Sequence, residues 1–143
     1  SGGARMIEAA AQELAKHPDP PLMLAVTVLT SHDARDLRAM NIHQDPHQRV
    51  DTLARLAIDA GADGLVCSAH EAGGLRRELG PNVALVCPGI RPKGSAADDQ
   101  RRTMTPAEAI AAGASHIVVG RPIRSAPDPE LAARRIAREM NHG

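Results

Sequence analysis

Aromatic residues are absent from this sequence, whose 143 residues include no phenylalanine, tyrosine or tryptophan. Because aromatic side chains normally supply much of the buried area of a core, this core must be built from aliphatic side chains. The same absence excludes the aromatic platforms on which RNA-binding and single-strand-binding modules stack bases. The sequence therefore predicts a domain with an aliphatic core and argues against that class of nucleic-acid-binding protein.

An excess of either charge is also lacking, since lysine plus arginine and aspartate plus glutamate both total 17. A balanced chain offers no broad basic surface for nucleic acid or an anionic membrane, so any anion site must be local. No stretch approaches the roughly 20 apolar residues of a membrane span, and the first residues lack the charged and apolar regions of a signal peptide. We expect a cytoplasmic protein that binds neither nucleic acid nor membrane.

Cysteine is scarce, and Cys67 and Cys87 are not spaced as a metal knuckle or a redox pair. Buried, reduced thiols are the expected state of both. Histidines and aspartates do crowd one polar segment, at His32, Asp33, Asp36, His43 and His47. Their spacing fits no usual ligand pattern, so we predict no metal site.

Helices and strands alternate along the apolar pattern with short glycine and proline breaks, which is typical of a parallel α/β sheet. Four strands are predicted, at residues 22–29, 65–67, 83–87 and 117–119, the first of them buried on both faces. A leading helix precedes them, with an apolar face formed by Ile7, Ala10, Ala11 and Leu14. Residues 88–102 are too polar for either element and are predicted to form a loop.

Three later helices are predicted to begin at a capping side chain followed by proline, at residues 45–46, 105–106 and 128–129. Another helix is predicted over residues 70–79. The inner face of the last helix is predicted to be Ala133, Ile136, Ala137 and Met140. The arginine pairs at residues 76–77, 101–102 and 134–135 are predicted to face solvent. A leading helix with no strand before it, and four strands with open edges, indicate missing sequence.

Ligands of such strand-to-helix architectures bind at the carboxyl ends of the strands. The residues at these positions are Thr30, Ser31, Ser68, His70, Gly89, Ile90, Arg91, Gly120, Arg121 and Pro122. Gly120 and Arg121 have the chemistry of a phosphate site, because glycine lets the backbone approach an anion and arginine offers a planar pair of donors. On spacing alone, a tight turn followed by a solvated arginine is an equally good interpretation.

Longer motifs resolve this choice. Pro-Gly-Ile-Arg-Pro stands at residues 88–92, followed by Gly94, Asp-Gln-Arg-Arg at 99–102, Thr-Pro at 105–106 and Val-Gly-Arg-Pro at 119–122. In residues and spacing these motifs resemble the bacterial orotidine 5′-phosphate decarboxylases. Residues 1–3, 27–31 and 63–69 fit the same family, so the resemblance runs from end to end of the chain.

The resemblance implies that residues 1–143 are the C-terminal half of a single (β/α)8 TIM barrel domain, as a leading helix plus four βα units, with the N-terminal half absent from this chain. It makes Thr30 a nucleotide contact on the pyrimidine side. It also makes Arg91, Gln100, Gly120 and Arg121 nucleotide ligands, with Gln100 and Arg121 contacting the phosphate. Residues 91–100 would then be a mobile loop that closes over the phosphate.

Complete members of this family decarboxylate orotidine 5′-monophosphate to uridine 5′-monophosphate in pyrimidine biosynthesis. The resemblance implies a cytoplasmic homodimer that needs neither metal nor cofactor. Family members use an array of aspartates and lysines that includes Asp-x-Lys-x-x-Asp. This chain has only Lys16 and Lys93, and neither stands in that motif. We therefore assign no catalytic residue here and expect the segment alone to be inactive.

Two other functions stay open. Another phosphate-binding barrel enzyme, such as a sugar-phosphate synthase or isomerase, would use the same glycine and arginine at its last strand. The other is a catalytically silent nucleotide-binding or structural half-barrel, which the leading helix without a preceding strand would support. A preference for uridine nucleotides over ribose 5-phosphate would separate the first of these from a decarboxylase.

Overall fold

The structure is a computed structural model that describes residues 2–92 and 104–141. Within these residues the elements are, in chain order, α1 (Ala4–Leu14), β1 (Leu24–Val26), α2 (Ala34–Ala39), α3 (Pro46–Asp59), β2 (Gly64–Val66), α4 (Ala69–Leu79), β3 (Ala84–Cys87), α5 (Pro106–Ala111), β4 (His116–Ile117), α6 (Arg121–Arg124) and α7 (Pro129–Met140). No helix of this described part combines the length and apolar character needed to cross a membrane.

The four strands form one parallel sheet in the order β1-β2-β3-β4. Leu24 pairs with Gly64 in the next strand, Gly64 with Ala84, and Val86 with His116. Each strand therefore lies beside the strand that follows it in the chain, and every connection between strands contains a helix. Consecutive parallel pairing through helical crossovers is the wall topology of a (β/α)8 barrel, which confirms the predicted fold class.

The core lies between the sheet and the helices and is aliphatic, as the absence of aromatic residues requires. Leu65 and Leu85 are fully buried on the helix-facing side of the sheet, against residues of α3 and α4 such as Val50 and Leu75. The two cysteines occupy the same layer as free, buried thiols, with their Sγ atoms 3.9 Å apart on neighbouring strands. This hydrogen-bonding contact and burial raise the pKa of the Cys67 thiol.

The first strand differs from its prediction. Only Leu24–Val26 is strand, and Leu24 and Val26 are 39% and 58% exposed, instead of buried on both faces. Ala25 faces the helices and packs on the core, whereas Leu24 shares the opposite face with Gly64 and Ala84. The exposure of Leu24 and Val26 shows that the described residues leave that opposite face largely uncovered.

Helix starts are predicted more accurately, because capping is local. Asp45 accepts hydrogen bonds from the backbone N–H groups of His47 and Gln48 at 2.9 and 3.0 Å, and α5 and α7 begin at the predicted caps. The predicted inner faces are partly wrong, since Ala10 and Ala137 are exposed. β4 begins one residue before and ends two residues before the predicted strand at 117–119, and α6 was not predicted.

Arg76 was predicted to face solvent, and this prediction is wrong. Its Nη1 donates to the backbone carbonyls of Gly80, Pro81 and Val83 at 2.9, 3.0 and 2.8 Å. Its Nε and Nη2 donate to the carbonyl of Gly113 at 3.2 and 3.0 Å, and Nη2 also donates to the hydroxyl of Ser115 at 2.8 Å. One side chain therefore ties the end of α4 to the segments that lead into β3 and β4.

Replacing Arg76 with methionine is expected to lower the free energy of unfolding by about 2 kcal/mol, because methionine keeps much of the apolar stem but leaves several carbonyls without a charged donor. Urea denaturation followed by circular dichroism measures this change. Arg77→Met is the matched control, because its neighbouring side chain is exposed. An equal decrease in the free energy of unfolding in the two variants would show that the Arg76 hydrogen bonds contribute little to stability.

Candidate anion-binding site

Two loops meet at the carboxyl ends of β3 and β4. Because these strands are parallel neighbours, the segments that follow them emerge at the same edge of the sheet. They enclose a cavity of about 350 Å³ lined by Pro88, Gly89, Arg91, Val118, Gly120, Arg121 and Arg124. The cavity therefore contains three of the residues predicted to bind a nucleotide.

Arg91 is fixed at the floor of this cavity. Gly89 turns the chain with a positive φ of 80°, and the Arg91 N–H then donates to the Met104 carbonyl at 2.9 Å. The Arg91 residue is only 7% exposed, and its Nη1 donates to the Ile90 carbonyl at 2.9 Å. Its Nε and Nη2 are buried and have no hydrogen-bond partner among the described residues. A buried cation with two unused donors is costly unless an acceptor reaches it.

Gly120 forms the opposite wall. Its carbonyl accepts hydrogen bonds from the N–H groups of Ile123 and Arg124 at 3.1 and 3.0 Å, which closes the turn of α6. Its φ of −104° does not require glycine, and a Cβ built there would meet no atom of the described residues within 4 Å. Packing among the described residues therefore does not explain glycine at this position, whereas close approach of a ligand to the backbone would.

The cavity is strongly positive although the chain is neutral overall. Arg91, Arg121 and Arg124 line it together, and no aspartate or glutamate is among the described residues of the lining. Like charges that line one cavity repel one another, and a bound anion lowers that repulsion. The arrangement is therefore suited to an anion with several acceptor oxygens, for which arginine forks are the preferred donors.

Thr30 lies in an adjacent cavity of about 260 Å³, which Ser31, Cys67 and Pro88 also line. The Thr30 residue is 8% exposed, and Pro88 lines both cavities. The structure thus brings Arg91, Gly120 and Arg121 into one cavity and leaves Thr30 in the next. Gln100 and most of the predicted 91–100 loop lie outside the described residues.

Sequence reasoning missed Arg124. The one available signal was its spacing, since a residue three positions after Arg121 lies on the same side of a helical turn. That signal depends on a helix at residues 121–124, which was not predicted. Lys16, in contrast, lies between α1 and β1 at the amino ends of the strands, where it pairs with Glu13. It is therefore on the far side of the sheet from the cavity.

Comparison with known proteins gives a consistent result. A sequence profile of the family described as Orotidine 5′-phosphate decarboxylase / HUMPS matches residues 1–136. The orotidine 5′-phosphate decarboxylase of Chromohalobacter salexigens is 50% identical over 139 residues, which cover 97% of this chain and 59% of that protein. The one from Gluconobacter oxydans is 54% identical over 144 residues, covering 98% of this chain and 61% of that protein.

Among solved structures, the crystal structure of orotidine 5′-phosphate decarboxylase from Lactobacillus acidophilus superimposes with a TM-score of 0.81 at 39% identity. The match covers 98% of this chain and 60% of that one. The chain thus spans about 60% of the length of these relatives.

Proposed function

The chain belongs to the orotidine 5′-phosphate decarboxylase / HUMPS family, and on that premise we propose that it forms the phosphate and nucleotide site of an orotidine 5′-monophosphate decarboxylase. The complete enzyme would be a carbon-carbon lyase that releases CO2 and uridine 5′-monophosphate. The observation that carries the proposal is the buried Arg91, whose guanidinium Nε and Nη2 have no partner among the described residues and which lines the same cavity as Arg121.

A phosphate monoester has the negative charge and the acceptor oxygens that match the arginine donors of this cavity. One of its oxygens can accept from Nε of Arg91 and another from Nη2, in the paired geometry that makes arginine–phosphate contacts strong. Gly120 leaves room for a further oxygen near the backbone, and Arg121 adds charge from the wall. The bound anion would offset the desolvation of Arg91 and the repulsion among the arginines.

The position of the base follows from the two cavities. With the phosphate between the arginines, a nucleotide that passes Pro88 reaches the cavity of Thr30, which we propose as the pyrimidine side of the site. The chain's own residues would therefore bind and orient the nucleotide. Binding energy at the phosphate accelerates chemistry only when it is coupled to groups at the reacting carbon, and those groups are not among the residues assigned here.

Arg91→Met provides the test. Uridine 5′-monophosphate is expected to bind about tenfold to a hundredfold more weakly, because two charge-assisted hydrogen bonds are lost. The ligand-free chain is expected to gain about 1 kcal/mol in its free energy of unfolding, because methionine removes a buried, unmatched cation. Isothermal titration calorimetry measures the expected fall in nucleotide affinity. Urea denaturation measures the expected rise in the free energy of unfolding of the ligand-free chain.

Uridine and ribose 5-phosphate complete that experiment. Uridine binding should be unchanged in Arg91→Met, since it carries no phosphate. The unaltered chain should prefer uridine 5′-monophosphate to ribose 5-phosphate, whereas equal affinity would favour another phosphate-binding barrel enzyme. Unchanged nucleotide affinity in the variant would remove Arg91 from the site.

The proposal extends to cellular context. The complete enzyme would act in pyrimidine biosynthesis in the cytoplasm as a homodimer, as the family resemblance implies. Charge balance supports the expectation that neither nucleic acid nor membrane is a partner. Sedimentation of the complete enzyme tests the dimer.

A further inference from the structure

Arg124 shares the anion cavity with the two arginines already assigned to it. Its N–H donates to the Gly120 carbonyl at 3.0 Å, so the single turn of α6 brings it back to the glycine at the cavity wall. Arg134 on α7 is different, because its Nε and Nη2 donate to Glu130 at 3.0 and 2.8 Å. No described carboxylate pairs with Arg124 in this way, so its charge is not neutralised locally.

We propose that Arg124 is a third cation of the phosphate site and strengthens its attraction for a phosphate monoester. This inference rests on the proposed function, which places such a group in the cavity. Arg91 supplies the buried, directed donors, and Arg121 stands at the wall. Two guanidinium groups would balance a dianion, and the third would add positive charge that attracts the anion to the cavity.

Exposure determines what kind of contribution Arg124 makes. Its side chain is exposed, unlike that of Arg91, so salt screens its interaction with the anion. Exposed ion pairs are individually weak, and the expected effect is therefore modest and dependent on ionic strength. Arg124 is a binding residue in this assignment and takes no part in bond breaking.

The experiment measures binding of uridine 5′-monophosphate, inorganic phosphate and uridine to the 143-residue chain at low and high salt. Arg124→Ala is expected to weaken nucleotide and phosphate binding about two- to fivefold at low salt, and the difference should shrink at high salt. Arg124→Glu should weaken both by tenfold or more, and Arg124→Lys should restore most of the affinity. Uridine binding should be the same in every variant.

Arg135→Ala is the matched control, because it removes the same charge from an exposed position on α7 that does not line the cavity. If Arg135→Ala loses as much phosphate affinity as Arg124→Ala, the effect comes from the net charge of the chain alone, and the inference is overturned. Arg124→Ala with unchanged affinity at low salt, while Arg121→Ala loses phosphate binding, would overturn it and leave the proposed function intact. A chain that is folded by circular dichroism but binds no phosphate at all would overturn both.

Discussion

Replacing Arg121 with alanine is expected to weaken binding of uridine 5′-monophosphate by about 30- to 1000-fold, while binding of uridine hardly changes. Arg121 starts α6 directly after Gly120, which lies three residues beyond the end of β4, so a short turn holds Arg121 at the cavity wall. Removing it would leave the phosphate with one fewer charge-assisted partner. Calorimetric titration of both ligands measures the difference.

Two further variants define the Arg121 result. Arg121→Lys should recover only part of the affinity, because lysine keeps the charge but loses the planar fork of donors. Arg134→Ala should bind normally, since that arginine is paired with Glu130 on α7 and does not line the cavity. Equal losses of nucleotide and nucleoside in Arg121→Ala would show that the side chain does not act on the phosphate.

Local signals in the sequence correctly predicted the starts of α3, α5 and α7. Thr105 and Glu108 form the reciprocal capping box that their spacing indicates, and Asp128 accepts from the Leu131 N–H at 2.9 Å. Burial was harder to predict, because it depends on what lies across space. The apolar residues of β1 have the pattern of a strand covered on both sides, yet β1 is the edge of the described sheet and Val26 is exposed.

The candidate site was predictable to the extent that topology alone determines it. Parallel neighbouring strands deliver their following loops to one edge, so Arg91 and Arg121 could be expected to approach each other. The unused donors of Arg91 could not be predicted, because they depend on the direction of one side chain in the folded chain. Arg76 shows the same limit, since a helix-surface position in the sequence becomes a junction between three segments. Gln100 stays a prediction, because it lies outside the described residues.

The 143-residue chain by itself is expected not to decarboxylate orotidine 5′-monophosphate. Stabilising a developing carbanion requires a fixed cation near the departing carboxylate. The chain contains two lysines, of which Lys16 lies at the opposite edge of the sheet and Lys93 falls outside the described residues and outside any Asp-x-Lys-x-x-Asp motif. The arginines of the cavity would hold the phosphate, which is the part of the nucleotide that does not react.

Activity is expected to appear when the remaining segment of a relative, such as the Gluconobacter oxydans enzyme, is fused before Ser1 or supplied as a separate chain. The added strands should cover the exposed face of β1, so the free energy of unfolding should rise when turnover appears. The reaction is measured by the decrease in orotidine 5′-monophosphate absorbance. The inactive control is the supplied segment in which alanine replaces the lysine of the Asp-x-Lys-x-x-Asp motif. Turnover by the 143-residue chain alone, free of host enzyme, would show that its own residues complete the catalytic site.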